Sequence, residues 1–491
     1  MRPTEWTAVT EGFVGRTTEL ALLRKRLDRV RSGSGVAVAI RGRRQVGKSR
    51  LVQEFCDRAG VPYLFFTATK GASSVESVGA FYADLRDSSV PTDPELVPTP
   101  TAASWPEAFR TLASVLPDTP VIVVLDEVPW LAEQDEMFDG ALQTAWDRLL
   151  AHRPVLLLLL GSDIHMMQRL TAYDRPFFGR ADNLVLGPIN PAETARALGL
   201  DAADAVDAHL LCGGLPGILR SWPHGMPALT FLERECVDPA AAVFSVPESA
   251  LLAEFPSPDQ ARRVLEAVGG GDRTHANIAA AAGGRRGPLP SGSLSPLLHS
   301  LVGDKGVLAV DEPLSTRPGR PALYRVADSS LRMYLAVLRA AQEQARRGRP
   351  DAGFRLVQRR WPSLRGRAVE PLVRESLELA ALSGELPWPE VEAVGGWWNR
   401  RFDPELDLVG ADRAPVARRL FFVGSVKWLG TPFGDHDLAT LRHDSTQVPG
   451  FVPGDTALVV VSLAGTSPGL DLGPVDLVWN AHDVVSVWPA R

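Results

Sequence analysis

The sequence predicts an α/β chain in which a parallel sheet comes first, a helical region follows, and a smaller α/β region ends it. Three observations carry that expectation. The runs at 36–40, 121–125 and 156–160 are apolar at every position, as strands buried on both faces are. Leu20, Leu22, Leu23, Leu27 and Val30 recur with helical period just ahead of the first run. Alternation of apolar and polar residues, the mark of a strand with one wet face, is seen only late, at 405–409.

In chain order, Phe13-Val14-Gly15-Arg16 precedes the first helix, and Ser32-Gly33-Ser34-Gly35 breaks it before the first strand. That strand runs into Gly42-Arg43-Arg44-Gln45-Val46-Gly47-Lys48-Ser49, which reads G-x-x-x-x-G-K-S. Gly42 and Gly47 allow turns closed to other residues, so that backbone N–H groups from Gln45 and Val46 through Arg50 point inward at phosphate oxygens. A helix opening near Lys48 adds its free N–H groups and the positive end of its dipole. Lys48 supplies a point charge to the β- and γ-phosphates, and the Ser49 hydroxyl suits a Mg²⁺ shell. Strand, loop and helix in that order predict the sheet of a P-loop NTPase, with ATP and Mg²⁺ as ligands.

A second strand is expected at 62–67, and a Pro/Ser/Thr/Asp-rich surface loop at 90–106. The run 121–125 ends in Asp126-Glu127. Two carboxylates at the carboxyl end of a buried parallel strand would stand beside the phosphate loop, Asp126 for Mg²⁺ and Glu127 to orient or deprotonate the attacking water. The run 156–160 ends in Gly161-Ser162-Asp163. Ser162 or Asp163 there either senses the γ-phosphate or caps the next helix. For Arg180, in Phe177-Phe178-Gly179-Arg180 before a strand at 184–186, two readings stand: a phosphate contact in cis or in trans, or a surface ion pair.

At 491 residues the chain exceeds one core, and three domains are expected. With 45% apolar and 22% charged residues it has the composition of an ordinary soluble protein, and its net charge of -6 confines any nucleic-acid contact to a local basic patch. The longest apolar run, 155–160, is far short of the ~20 residues a membrane span needs. The N-terminus carries Glu5 and Glu11 without an apolar segment, so neither leader nor membrane partner is expected, and a cytoplasmic location is. Cys56, Cys212 and Cys236 form no C-x-x-C pair and read as reduced, buried thiols.

In the middle, helices are expected at 259–268, 274–282 and 293–301, then two strands at 307–310 and 324–326 around the basic loop Ser315-Thr316-Arg317-Pro318-Gly319-Arg320. Three helices and a wing fit a winged helix-turn-helix. Its third helix shows Ser291, Ser293, Ser295 and His299, with Arg285 and Arg286 before it, so DNA binding and intramolecular packing both stand. Arg346, Arg347, Arg349, Arg355, Arg359, Arg360, Arg365 and Arg367 surround Trp361, either as a DNA-tracking face or as a solvated helical linker. Towards the end, Glu370 on a helix, Asp407 on a strand and Lys427 closing the next strand follow the layout of a nuclease core. The acid expected two residues before the lysine is Ser425, a weak and uncharged Mg²⁺ ligand. The Asp435-His436-Asp437 cluster follows Phe433-Gly434 and reads as a helix cap in preference to a metal site.

These pieces, with Gly213-Gly214-Leu215-Pro216, resemble the archaeal-type ATPases of the AAA+/STAND assemblage over about residues 11–240. The later part resembles the PD-(D/E)xK nuclease-like domain fused to such ATPases (DUF234-type). The resemblance implies an ATPase core at 1–190 and a helical lid at 191–255, with Pro216 contacting base or ribose. A winged helix at 256–345 and a degenerate restriction-endonuclease-like domain at 346–491 would follow. It also implies DNA as a partner and self-association into a homo-oligomer, or else a slow signalling switch acting through protein partners.

Overall fold

The apolar runs of the first half become parallel strands: β1 (Val36–Arg41), β2 (Tyr63–Thr67), β3 (Val121–Asp126), β4 (Val155–Gly161) and β5 (Ala181–Val185). The computed structural model describes residues 13–98, 104–170, 172–173, 175–255, 257, 259–284, 287–319 and 321–489. Arg285, Arg286 and Arg320 lie outside the described residues, as do Glu5 and Glu11. The chain divides into two units, residues 1–188 and 189–490.

In the first unit the five strands run in the order β2-β3-β4-β1-β5. Every neighbouring pair is parallel. β3 and β4 are buried along their whole length, which accounts for the absence of alternation in their sequences. Helices Thr17–Val30, Lys48–Ala59, Ser74–Asp87 and Trp105–Val115 connect and cover the strands. The last begins inside the segment expected to be loop, because Trp105 is a core residue and not a surface one. Its ring packs edge-on against Phe66, Phe81 and Phe138, at centroid separations of 6.0, 5.7 and 5.1 Å. Cys56 is buried in the helix after the phosphate loop.

The second unit opens with helices Pro191–Leu198, Ala202–Cys212, Pro216–Leu219, Ala228–Glu235 and Ala242–Glu254. Three more follow, Gln260–Gly270, His275–Gly283 and Ser291–Val302, and then the antiparallel pair β6 (Leu308–Asp311) and β7 (Leu323–Val326). A 34-residue helix, Pro350–Ser383, absorbs the basic stretch from Arg355 onward and the segment bearing Glu370. Beyond it come β8 (Ala393–Trp398), β9 (Glu405–Ala411), β10 (Leu420–Lys427), helix Asp435–Ser445, β11 (Ala457–Ser462) and β12 (Leu477–Trp479). This mixed sheet has the order β12-β11-β10-β9-β8. β8, β9 and β10 are antiparallel, whereas β10, β11 and β12 are parallel. No helix among the described residues is long and apolar enough to cross a membrane.

The connection between β6 and β7 is not a free loop. Leu314 N–H donates to Gly396 O at 2.9 Å, Thr316 N–H to Pro449 O at 3.0 Å, and Ala417 N–H to Ser315 O at 2.9 Å. The Leu314 side chain joins the core of the mixed sheet. The would-be wing is therefore stitched to the C-terminal sheet.

Truncating the aromatic hub tests the core of the first unit. Trp105→Ala should destabilise it by about 3–5 kcal/mol, read as an earlier urea transition by circular dichroism; an unchanged transition would contradict this packing.

Candidate active site

Because the sheet is parallel, the carboxyl ends of β1, β4 and β3 reach one edge side by side, with Arg41 level with Gly161 and Leu125 with Leu159. At Gly42 only glycine fits: a Cβ would stand 2.3 Å from Leu186 O. The loop then turns through left-handed backbone at Gln45 (φ 66°) and Gly47 (φ 90°). Helix Lys48–Ala59 starts at once, and no side chain caps it. Its first N–H groups are thus available to an anion.

Lys48 is buried, and its Nζ donates to Gly42 O at 2.8 Å and Arg43 O at 3.1 Å, so the ammonium sits inside the curl of the loop. Burial lowers its pKa, while the charges of Glu127 and Asp126 oppose the shift. Ser49 Oγ donates to Asp126 Oδ2 at 2.6 Å. Burial raises the Asp126 pKa, and that hydrogen bond opposes the rise. Glu127 occupies left-handed backbone (φ 56°) directly after β3. Its carboxylate accepts from the Ser162 N–H at 3.2 Å and from the Ser162 hydroxyl at 2.8 Å. The two candidates at the tip of β4 thus divide the work: Asp163 caps the following helix through Met166 N–H at 2.9 Å, and Ser162 holds Glu127.

These residues fit a magnesium-bound triphosphate. An uncapped helix start, a buried ammonium within the loop, and a hydroxyl and carboxylate in mutual contact are the donor set such a ligand needs. Val46 lies within the loop, and its carbonyl accepts from Arg16 Nη2 at 2.8 Å. Arg16 also donates to Gly187 O at 2.7 Å and Glu19 Oε1 at 3.1 Å, bracing the loop against the chain that leaves β5. The sequence reading missed this role; its only signal was an arginine just ahead of a helix with a glutamate three positions on. The Arg50 side chain points away from the loop interior, to Glu54 at 3.0 Å, so only its backbone belongs to the phosphate edge.

Arg180 requires a correction as a phosphate contact within its own unit. Ala181 pairs with Ala37, so Arg180 stands at the amino end of β1, while the loop follows the carboxyl end. Its guanidinium makes two bonds to Asp147, both 2.8 Å, in a surface ion pair. Pro216 begins helix Pro216–Leu219 in the second unit, after Gly213 and Gly214, both left-handed (φ 59° and 65°).

In the second unit Glu370 and Asp407 come together, and the Asp407 charge raises the cost of ionising Glu370. Burial comes first, then the Asp407 charge, pushing the Glu370 carboxyl up to about 7. Burial likewise raises Asp407, against hydrogen bonds from Val426 N–H at 2.8 Å and Ser425 Oγ at 3.1 Å. Arg374 joins the two segments through Glu370 Oε2 at 3.3 Å and Asp407 O at 2.9 Å. Lys427 does not complete this group: its Nζ is held by Asp437, which also caps its helix through Gly434 N–H at 2.8 Å. Among the described residues no cluster of three or more His, Cys, Asp or Glu could hold a metal ion.

Residues 12–159 match the AAA ATPase domain, which assigns ATPase chemistry to the first unit. A search of curated proteins found no match. Among solved structures, the chain is similar to a Walker-type ATPase of Pyrococcus abyssi, with 19% identity over 66% of this chain and 96% of that one, at a TM-score of 0.45. It is also similar to the ORC2 protein of Aeropyrum pernix, with 14% identity over 70% and 96%, at 0.43. For the ORC1 protein of Aeropyrum pernix, solved in complex with DNA, the figures are 17%, 71%, 95% and 0.35. With TM-scores this low, none of the three bears on what the chain does.

The site makes a separable prediction. Lys48→Ala should abolish ATP binding, while Glu127→Gln should keep binding and slow hydrolysis by at least ~10²-fold. Filter binding and phosphate release measure the two effects, and equal turnover in wild type and both variants would refute the assignment.

Proposed function

We propose that the chain is an ATP-hydrolysing switch. In this reading the phosphate-loop core (1–190) and a helical lid (191–255) carry the nucleotide. A winged-helix-like segment (256–345) and a nuclease-like segment (346–491) form the output, which binds and no longer cleaves.

The hydrogen bond between Ser49 and Asp126 supports the nucleotide half, because it pairs the two groups that would share a Mg²⁺ ion. Bound there, Mg²⁺ would neutralise charge building on the phosphates. Lys48 adds a fixed positive charge at the same place. Glu127 orients the attacking water and takes its proton, while Ser162 keeps the carboxylate aimed. Pro216 would touch the base or ribose from the lid.

The single observation that carries the non-cleaving output is the state of the acid pair. Where a nuclease needs a second carboxylate, Ser425 donates to Asp407, and Lys427 is spent on Asp437. A hydroxyl brings no charge to a metal, and an ion-paired lysine is not free to steady water or phosphate. The output surfaces favour a protein partner as well. The β6–β7 connection is stitched to the mixed sheet, and three arginines of the basic stretch are paired internally. Arg346 meets Glu248 at 2.9 Å, Arg347 meets Glu343 at 2.8 Å, and Arg365 meets Asp207 at 2.8 Å.

DNA binding is a second reading, and one observation favours it: Arg355 and Arg359 are exposed, one helical turn apart, with no ion pair among the described residues. Gel-shift titration of duplex DNA across a salt series separates the readings. The protein-partner switch predicts weak binding that Arg355→Gln with Arg359→Gln leaves unchanged. A DNA reader predicts affinity that falls steeply with salt and a slope that the double variant reduces. Incubation of the same DNA with Mg²⁺ or Mn²⁺ should produce no nicks; nicking abolished by Asp407→Ala would sink the non-cleaving output.

A further inference from the structure

The second unit contains a cavity of about 120 Å³ between the segment that carries β6 and β7 and helix Pro350–Ser383. Its charge is unbalanced. Arg273, Arg325, Arg332, Arg367 and Arg374 line it with Asp311 and Glu370, and Glu405 and Asp328 act on Arg273 and Arg332 from beside it, which leaves five cations against four carboxylates.

Three of the arginines are already engaged. Arg325 meets Asp311 at 3.0 Å, Arg374 meets Glu370 at 3.3 Å, and Arg273 meets Glu405 at 3.3 Å. Arg332 and Arg367 are different: neither forms an ion pair or a side-chain hydrogen bond among the described residues. Arg332 lies deep, with its Nε buried and without an acceptor. Burial and the neighbouring Arg325 charge hold its pKa down to about 10, against the charges of Asp328, Asp311 and Glu370. Arg367 is exposed and marks the mouth. Arg332 Nε is thus a buried donor with no acceptor among the described residues, and such a donor is disfavoured unless a ligand supplies one.

We propose that this cavity binds a phosphate group, with Arg332 at its floor and Arg367 at its mouth as the two recognising cations. Guanidinium forks match phosphate oxygens two at a time, and the apolar walls of Val268, Met333 and Pro371 strengthen such bonds by excluding water. Size narrows the ligand. A recess of about 120 Å³ suits one or two phosphoryl groups, and a terminal phosphate presents three oxygens to two guanidinium forks where a diester presents only two. The ligand is therefore a free phosphate or pyrophosphate, or the terminal phosphate of a longer molecule.

The inference stands apart from the phosphate loop and from whether the acid pair cleaves, and the experiment keeps them apart. Calorimetric titrations use the full chain carrying Lys48→Ala, so that the first unit contributes little. Sodium pyrophosphate is the first probe; a 5′-phosphorylated trinucleotide and its 5′-hydroxyl counterpart are the second and third. One-site binding of pyrophosphate is expected, weakened about tenfold or more by Arg332→Gln and by Arg367→Gln. Binding of the 5′-phosphorylated trinucleotide and not of the 5′-hydroxyl form identifies a nucleic-acid end as the source. Binding of pyrophosphate alone identifies a free anion. Should Arg332→Gln lose its folded circular dichroism spectrum, Arg367→Gln at its exposed position decides. No pyrophosphate binding, or binding indifferent to the arginine changes, overturns the proposal.

Discussion

The hydrogen bond from Ser49 to Asp126 joins residues 77 positions apart, and the first unit is arranged so that it forms. One partner opens the helix after β1, and the other closes β3. They meet because the strands are parallel and β4 lies between β1 and β3, so that three strand ends reach the same edge. An antiparallel neighbour would carry one of these ends to the far side of the sheet. The long apolar runs, the covering helices and the aromatic hub at Trp105 are what make such a sheet stable, because both its faces must be buried.

Charge is handled differently at the two acidic sites. In the first unit, Asp126 and Glu127 stand near a buried ammonium, a hydroxyl and an uncapped helix start, a donor set that fits an anion and its cation. In the second, Glu370 and Asp407 face Arg374, Ser425 and Val426 N–H, and their charges are already answered by protein. Burial raises both carboxyls. The first site presents its groups to a nucleotide; the second joins a helix to the mixed sheet through Arg374 beside an arginine-lined recess.

Much of the first unit was legible because its signals are local. The phosphate loop needs particular residues at particular spacings, and a strand ending in Asp126-Glu127 carries its meaning within seven residues. What the sequence concealed depends on register and long-range pairing. For Arg180 the sequence leaves a phosphate contact and a surface ion pair both open, and only the pairing of Ala181 with Ala37 decides for the ion pair within its own unit. Arg16 looks like an ordinary helix-start residue, although it ties Val46 to Gly187, which lies 171 positions from Arg16 itself. The arginines between 346 and 367 form a basic patch in composition, but Glu248, Glu343 and Asp207 neutralise three of them in space. Lys427 fits a nuclease motif in spacing alone, since Asp437, ten residues later, takes its charge.

Coupling between nucleotide and output is the central claim, and hydrogen–deuterium exchange on the Glu127→Gln chain tests it most directly. Peptides are compared in the ATP-bound and ADP-bound states, the substitution preventing turnover during labelling. The switch predicts altered protection in peptides of 189–489 as well as around the phosphate loop. Changes confined to 13–188 would contradict it.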